Sequence, residues 1–287
     1  MSGRVNLREI FDEDLEDVFS FLSKNFDSKL NLDIWRSAFG QSWMPEKPNN
    51  GFMLKESGTI VGVFCALYSQ RPTQKGVQYV CNTSTWYVLD TYRSHSLKLM
   101  TAMLSQKGFL FTSLSASPNV HELHRRFKFQ SYVTTLVAIP NLPKLNYFSK
   151  KMEILDDLNS IGKYLDSKNR QISFDHMDIP TVQQIVFHTS NEPLLVIFDI
   201  RNVRGISATN IFYLSNPDIF YKNQKEICSY FLLNKRTLFT RIYRCNMSKV
   251  PKLSFEIKRN VTLFYYGDIA ESFFPEFIYS EFMFFCR

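Results

Sequence analysis

The chain has 287 residues, 45% of them hydrophobic and 21% charged, with 27 phenylalanines, so it exceeds one average domain and carries ample material for a folded core. Its formal charge is +7 and its pI near 9.1, but the basic residues are scattered, with short clusters at Arg125, Arg126 and Lys128 and at Lys144, Lys150 and Lys151; without a helix-turn-helix, zinc-finger or aromatic RNP pattern, nucleic acid is not an expected partner. No apolar run approaches the ~18 to 20 residues of a membrane span, and the opening MSGRVNLREIFDEDLEDV is charged from its first residues, so neither a signal nor a membrane segment is expected and the cytoplasm is the expected location.

Ile10, Leu15, Val18, Phe19, Leu22 and Phe26 recur near helical period, with acids early in the stretch, which predicts an amphipathic helix. A Trp-containing, Pro-broken segment over 34–50 ends on the turn signal Asn49-Asn50-Gly51. Residues 51–55 and 59–70 read as antiparallel strands joined at Glu56-Ser57-Gly58. A turn over 72–76 leads to a third long strand, 77–89, then a helix over 94–106, a strand over 109–114 and a second helix ending in the basic turn at Lys128-Phe129. The strand TTLVAIP runs into Pro140 and Pro143, and a domain boundary is placed there. The expected division is a first domain at 1–140, a linker at 141–170 and a second α/β domain at 171–287. In the second half the pattern predicts a helix over 180–188, strands over 194–200 and 210–214, a helix over 218–233, a strand over 238–244, and two Lys-rich strands, KLSFEIK and VTLFYYG. Strand, helix and strand over 211–244 repeat the rhythm of 84–114, which suggests an internal repeat.

The five cysteines, Cys65, Cys81, Cys228, Cys245 and Cys286, are odd in number and widely spaced, which favours reduced, buried thiols over a disulfide framework or a zinc site. Cys81 would act as a nucleophile only beside a base. His121 and His124 have helical spacing, but no ligand motif surrounds them, so no metal is expected. No G-x-S-x-G elbow is present to support a hydrolase.

The clearest chemistry lies where a strand ends near Leu89 and a helix begins near Ser94. Free N–H groups at a helix start form an anion site. Ser94 and Ser96 are small enough for a phosphate to approach, and Arg93 adds a charge-assisted donor. The plainer alternative is that Ser94 caps the helix and Arg93 faces water. A basic surface also suits an anionic small molecule.

The run Val88-Leu89-Asp90-Thr91-Tyr92-Arg93-Ser94-His95-Ser96-Leu97-Lys98 resembles the acetyl-CoA pyrophosphate loop of the GNAT (N-acetyltransferase) superfamily, where Q/R-x-x-G-x-G/A follows a strand reading V-x-P-x-Y/F-R. Val88, Tyr92 and Arg93 agree, whereas Asp90 stands for the proline, Ser96 for the first glycine and Lys98 for the glycine or alanine. Downstream, Asn119-Val120-His121-Glu122-Leu123-His124-Arg125-Arg126-Phe127-Lys128-Phe129 is similar to the family's N-x-x-A-x-x-L/I-Y-x-x-x-G-F. Asn119, Leu123 and Phe129 keep their character with a shorter first spacing, His124 falls at the tyrosine and Lys128 at the glycine. Residues 58–62 are similar to the family's second and third strands, and the resemblance covers about residues 1–140.

That resemblance implies an α/β fold: a GNAT-like mixed, largely antiparallel sheet flanked by helices, followed by a second, diverged GNAT-like α/β unit. It implies acetyl-CoA or another acyl-CoA as co-substrate, held by Val88, Leu89, Arg93, Ser94, His95, Ser96, Leu97, Lys98 and Asn119, with the thioester between the strands ending at Leu89 and Leu114. Backbone N–H groups near Val88 would polarise its carbonyl. His124 would take the place of the tyrosine that protonates the leaving thiolate; the alternative is a solvated histidine beside Arg125 and Arg126. No general base emerges from Asp90, His95, His121 and Glu122. Asn82, Ser84 and Trp86 alternate and would share one face, lining an acceptor cleft with Tyr68 and Arg71. The implied function is CoA-dependent N-acyltransfer to a small-molecule or sugar-like amine. The alternatives are a non-catalytic GNAT-derived module that binds acyl-CoA or a partner, and a protein-modifying enzyme whose second half recognises polypeptide.

Overall fold

The computed structural model describes residues 4–26, 30–73, 76–144, 152–188, 192–268 and 277–285. In chain order the first elements are β1 (Val5–Glu9), α1 (Leu15–Asn25), α2 (Leu32–Phe39), β2 (Gly51–Glu56), β3 (Thr59–Thr73), β4 (Gly76–Val88), α3 (Ser96–Ser105), β5 (Phe109–Ser113) and α4 (Pro118–Arg126). There follow β6 (Gln130–Pro140), β7 (Glu153–Leu155), α5 (Leu158–Tyr164), α6 (Ser167–Asp175), β8 (Gln183–His188), β9 (Pro193–Val203), β10 (Ile206–Leu214), α7 (Pro217–Lys222), α8 (Gln224–Lys235), β11 (Phe239–Tyr243) and β12 (Phe255–Tyr266). Two compact units emerge. Of the described residues, 4–131, 263–268 and 279–285 belong to the first and 132–262 with 277–278 to the second. Residues 152–170, expected as linker, lie in the second unit as β7, α5 and the start of α6.

In the first unit the strand order is β1-β2-β3-β4-β5, completed by residues 264–266 of β12. Every neighbouring pair is antiparallel except β4 with β5. The unit thus takes its sixth strand from a part of the sequence far from the other five. α1 buries Val18, Phe19, Phe21 and Leu22, and each such side chain contributes about 1.5–3 kcal/mol by leaving water. Its Phe19 ring lies against Trp35 and Phe39 of α2. On the other face Leu99, Met100 and Met103 of α3 pack with Phe64, Cys81, Phe111 and Phe264. β1 carries no alternation of burial, being an edge strand with charged Arg8 and Glu9, and so leaves no signal of period two.

α4 ends in a Schellman motif: the Phe129 N–H donates to His124 O at 3.0 Å and the Lys128 N–H to Arg125 O at 2.9 Å. Lys128 has φ of +62° there, a left-handed conformation natural to glycine. The position at which the family carries glycine therefore keeps the glycine conformation.

In the second unit the order is β6-β11-β10-β9-β8-β7, antiparallel except β10 with β11. Read strand for strand, β7, β8, β9, β10 and β11 repeat β1 to β5, with α5 and α6 in the places of α1 and α2 and α7 and α8 in the place of α3. The repeat suggested by rhythm is one of topology. The helix expected over 180–188 is instead strand β8, where Ile185, Val186 and Phe187 are all fully buried; a short apolar run buried on both faces does not reveal its period. The two Lys-rich strands are one strand, β12, because no glycine or proline interrupts 255–266. The helix expected over 218–233 breaks at Asn223 into α7 and α8.

Candidate functional site

β4 and β5 pair in parallel only from Tyr79↔Phe109 to Asn82↔Thr112. Beyond those residues β4 continues to Val88 while β5 ends at Ser113, which leaves an opening between them. A bulge shapes it: Cys65 faces Ser84 and Phe64 faces Trp86, so Thr85 has no partner on β3, and the extra residue bends the strand. The bulge also turns Trp86 to the face opposite Asn82 and Ser84, where its ring stacks on Phe64 at 4.7 Å. The single face expected for these three residues is thereby divided. Tyr68, opposite Cys81, shares the Trp86 side, and its hydroxyl donates to Asn49 Oδ1 at 2.7 Å. On the backbone, the Leu89 N–H donates to Val61 O at 3.0 Å; N–H directions alternate in an antiparallel ladder, so those of Val88 and Trp86 point toward the opening.

A 3-10 turn, Asp90–His95, joins β4 to α3, which starts at Ser96 rather than at Ser94. Neither turn nor helix has a side-chain cap, but the turn runs straight into the helix: the Tyr92 N–H donates to Leu89 O at 2.8 Å and the Ser96 N–H to Arg93 O, so the leading amide of α3 is taken by the turn, whose own first residue is the acid Asp90. Arg93, Ser94, Leu97 and Lys98 are exposed and His95 and Ser96 half-buried. Arg93 pairs with Asp90 at 2.7 Å, with 72% and 81% of the two side chains exposed.

Asn119 is the second residue of α4 and is exposed. His124 is buried, its ring stacked on Phe264 at 4.7 Å and edge-on to Phe129 at 4.8 Å. Its Nδ1 lies 2.9 Å from Val120 O, so Nδ1–H donates there, and Nε2 has no partner. Burial pushes the His124 pKa down. The neutral ring is favoured, and in this tautomer Nε2 has no proton to give; an acid role requires that the ring be charged against that cost. The solvated histidine considered from sequence is corrected by the burial.

The opening also holds a group that no local motif announces. Glu281, in the 3-10 turn Glu281–Met283, is 2% exposed. Its N–H donates to Asn82 Oδ1 at 3.1 Å, while its Oε1 accepts from the Ser115 N–H at 3.1 Å and from the Ser115 hydroxyl at 2.7 Å. Asn82 Nδ2 in turn donates to Thr112 Oγ1 at 3.1 Å, and Thr83 Oγ1 to Thr112 O at 2.9 Å. The point where β4 and β5 part is thus tied to Glu281. Its Oε2 has no partner, and burial raises the carboxyl pKa above its ordinary value. Aromatic contacts hold the segment: Tyr279 lies under Arg71 at 4.0 Å and against Trp43 at 5.3 Å, and Phe285 lies on Trp35 at 4.4 Å. The one trace of this in the sequence is a lone acid within the aromatic run 277–285.

No family model matches the sequence, and no curated protein matches it. Solved structures do. The chain is similar to a GCN5-related N-acetyltransferase from Anabaena variabilis, with a TM-score of 0.59 at 11% identity over 91% of this chain and 72% of that one. A GCN5-related N-acetyltransferase from Kribbella flavida gives 0.60 at 10% over 92% and 71%, and Eis1 from Mycobacterium abscessus 0.53 at 11% over 91% and 73%. The fold is that of the GCN5-related N-acetyltransferases. At such identities the likeness is one of fold, and chemistry must be read from the groups present.

Both units have the opening, but not the same groups around it. In the second, β10 and β11 pair from Ala208↔Phe239 to Ile211↔Ile242, and β10 bulges at Phe212. There Asn216 Oδ1 caps α7 by accepting from the Asp218 and Ile219 N–H groups, and Asp218 adds a negative charge to the first turn. Asn246 Nδ2 donates to Phe212 O at 3.1 Å. The amides an anion would use at the start of α7 are thus occupied.

Cys65, Cys81 and Cys228 are buried and free. Burial pushes Cys65 and Cys228 up to about 12 and Cys81 higher still, which suits inert thiols. Among the described residues no group of three or more His, Cys, Asp or Glu side chains is placed to hold a metal, and no helix is long and apolar enough to cross a membrane. A groove of about 390 Å³ beside the N-terminal half of α1 is lined by Asp12, Glu16, Arg36 and Lys47, whose charges pair as Arg36–Glu16 and Lys47–Asp12. It lies away from the end of α1 that meets Tyr87 of β4 through Phe21 and Phe26.

Proposed function

We propose that the chain is a cytoplasmic CoA-dependent N-acyltransferase whose first unit binds acetyl-CoA or another acyl-CoA and whose acceptor is a small-molecule or sugar-like amine. The observation that carries this reading is the parting of β4 from β5 after Asn82 and Thr112, with Arg93 and Lys98 exposed beside it. In this reading the pyrophosphate rests against residues 94–98 with Arg93, near Asn119, and the pantetheine arm enters the opening past Val88 and Leu89. The Val88 and Trp86 N–H groups then face the thioester carbonyl. They stabilise the oxyanion as the amine attacks and CoA departs as thiolate.

Calorimetric titration with CoA and acetyl-CoA, followed by thiol release across a panel of primary amines, tests it. Binding with amine-dependent thiol release is expected; no binding of CoA or of any acyl-CoA at millimolar concentration refutes it. A second reading, an acyl-CoA-binding module without turnover, is favoured by the neutral, buried His124 at the tyrosine position of the motif. Its signature is binding without thiol release.

A further inference from the structure

We propose that Glu281 is the general base of this transfer, accepting a proton from the acceptor ammonium at Oε2. The inference rests on the acyltransfer reading above. Three observations converge on it. Glu281 stands where β4 and β5 part, bonded to Asn82 and Ser115, the residues on either side of the opening. Its rotamer is fixed by the two Ser115 donors on Oε1, which leaves Oε2 buried and without a partner. Ser115 itself is exposed, so the network that holds Glu281 reaches solvent on that side.

Of the other acids and imidazoles near the opening, His124 keeps a partnerless Nε2 but is stacked on Phe264 and Phe129, and three more named from the sequence are engaged. Asp90 pairs with Arg93, Glu122 with Arg125 and Arg126, and His121 Nε2 lies 3.1 Å from Ala116 O. A buried carboxylate with a bare oxygen is costly to keep. Its place where β4 and β5 part gives it a use.

The proton balance closes. Glu281 carboxylate takes one proton from R–NH3+, and the freed amine nitrogen forms the new C–N bond as the thioester carbonyl opens. The C–S bond then breaks, sulfur leaves with the electron pair, and the second nitrogen proton passes to the thiolate, giving CoA thiol and amide. Glu281 returns its proton to solvent. Glu281 must be ionised to act, so the rate falls as pH falls through its pKa, which burial has raised and the Ser115 and Asn82 hydrogen bonds oppose. On the elements its segment touches, Arg71 is engaged with Ser69 and Tyr279, Cys81 lies on the opposite face with Met103, and His121 is held by Ala116 O.

The test compares parent, Glu281→Gln and Ser115→Ala in acetyl-CoA binding, thermal midpoint and transfer to two nucleophiles. One is the best alkyl amine of the panel, protonated at neutral pH; the other is hydroxylamine, which is unprotonated there and needs no base. Glu281→Gln should bind acetyl-CoA like the parent and melt no lower. It should transfer to the alkyl amine about 100-fold more slowly or worse, yet stay within a few-fold of the parent with hydroxylamine. Ser115→Ala, which removes a hydrogen bond to the ionised carboxylate, should move the acid limb of kcat/KM for the alkyl amine to higher pH. Equal loss with both nucleophiles, no loss with either, or an acid limb unmoved in Ser115→Ala overturns the assignment. A parent that binds acetyl-CoA and transfers to neither nucleophile refutes acyl transfer itself and the base with it; a parent that transfers while Glu281→Gln matches it refutes the base alone.

Discussion

Arg93 is the side chain on which the pyrophosphate site is most simply tested, because in the free protein it already has a partner. Its 2.7 Å pair with Asp90 is largely exposed, and such surface pairs are worth about 0.2–1 kcal/mol. A charge-assisted hydrogen bond to phosphate is worth about 1.5–3 kcal/mol. Binding therefore exchanges the weaker contact for the stronger, and Arg93→Ala should lose roughly 1–2.5 kcal/mol, or about 5- to 60-fold in CoA affinity. Asp90→Asn removes the competitor and should tighten CoA by about 1.5- to 5-fold. In Arg93→Ala the same Asp90→Asn change should gain less, since no pair remains to be broken. Calorimetric titration of the four proteins at fixed, low salt reads all three numbers. If Arg93→Ala binds CoA as the parent does while still folded, Arg93 does not hold the pyrophosphate. If Asp90→Asn gains equally with and without Arg93, the pairing of the two side chains plays no part in binding.

The remaining expectations are simpler to state. Lys128→Gly removes a left-handed strain of about 1–2 kcal/mol against about 0.5–1 kcal/mol of added backbone entropy, so urea unfolding should show a net gain of roughly 0.5–1 kcal/mol. A loss of the size glycine causes in ordinary backbone would contradict the φ of +62°. His124 has a folded pKa lowered by burial, so the unfolded chain binds the extra proton first: its contribution is full above the unfolded value of about 6.5 and is lost as pH falls through it. His124→Phe should accordingly flatten the fall of thermal midpoint below that pH and leave turnover within a few-fold. An abolished turnover rescued by His124→Tyr would instead establish the acid role. CoA should titrate with one site per chain, because Asn216 and Asp218 close the helix end in the second unit; a second equivalent site would sink that argument.

What the sequence disclosed and what it hid divide along physical lines. The run from residue 51 to 129 was legible because each of its elements carries its own signal: alternation in the strands, period in α3, and Asn119 to Phe129 at the turn after α4. Lys128 illustrates the limit, since the residue type departs from glycine although the backbone does not. Pairing between distant segments left no local trace. The sixth strand of the first unit comes from residues 264–266 of β12, and Glu281 is 166 positions from Ser115. The bulge at Thr85 was hidden for another reason: a register shift inside a continuous strand leaves the composition unchanged while reversing the face of every later residue. That is why Asn82, Ser84 and Trp86 were read as one face and are not.

The comparison of the two units gives the functional reading its weight. Both have the same strand order, the same parallel pair and a bulge in the strand that opens away from it. In the second unit Asn216 caps the helix, Asp218 suits its dipole and Asn246 engages the bulge carbonyl, while Arg241 Nε on β11 is buried without a partner. In the first, the Trp86 indole N–H is buried without a partner, and Glu281 keeps a bare carboxylate oxygen. Among the described residues Trp86, His124 and Glu281 of the first unit each keep a buried atom without a partner, against Arg241 in the second, and such departures from local consistency are expected at a site kept for use. An opening with two amides turned into it and, beside it, the carboxylate proposed as base are the parts that transfer from an anionic thioester needs, and in the first unit they lie together where β4 and β5 part.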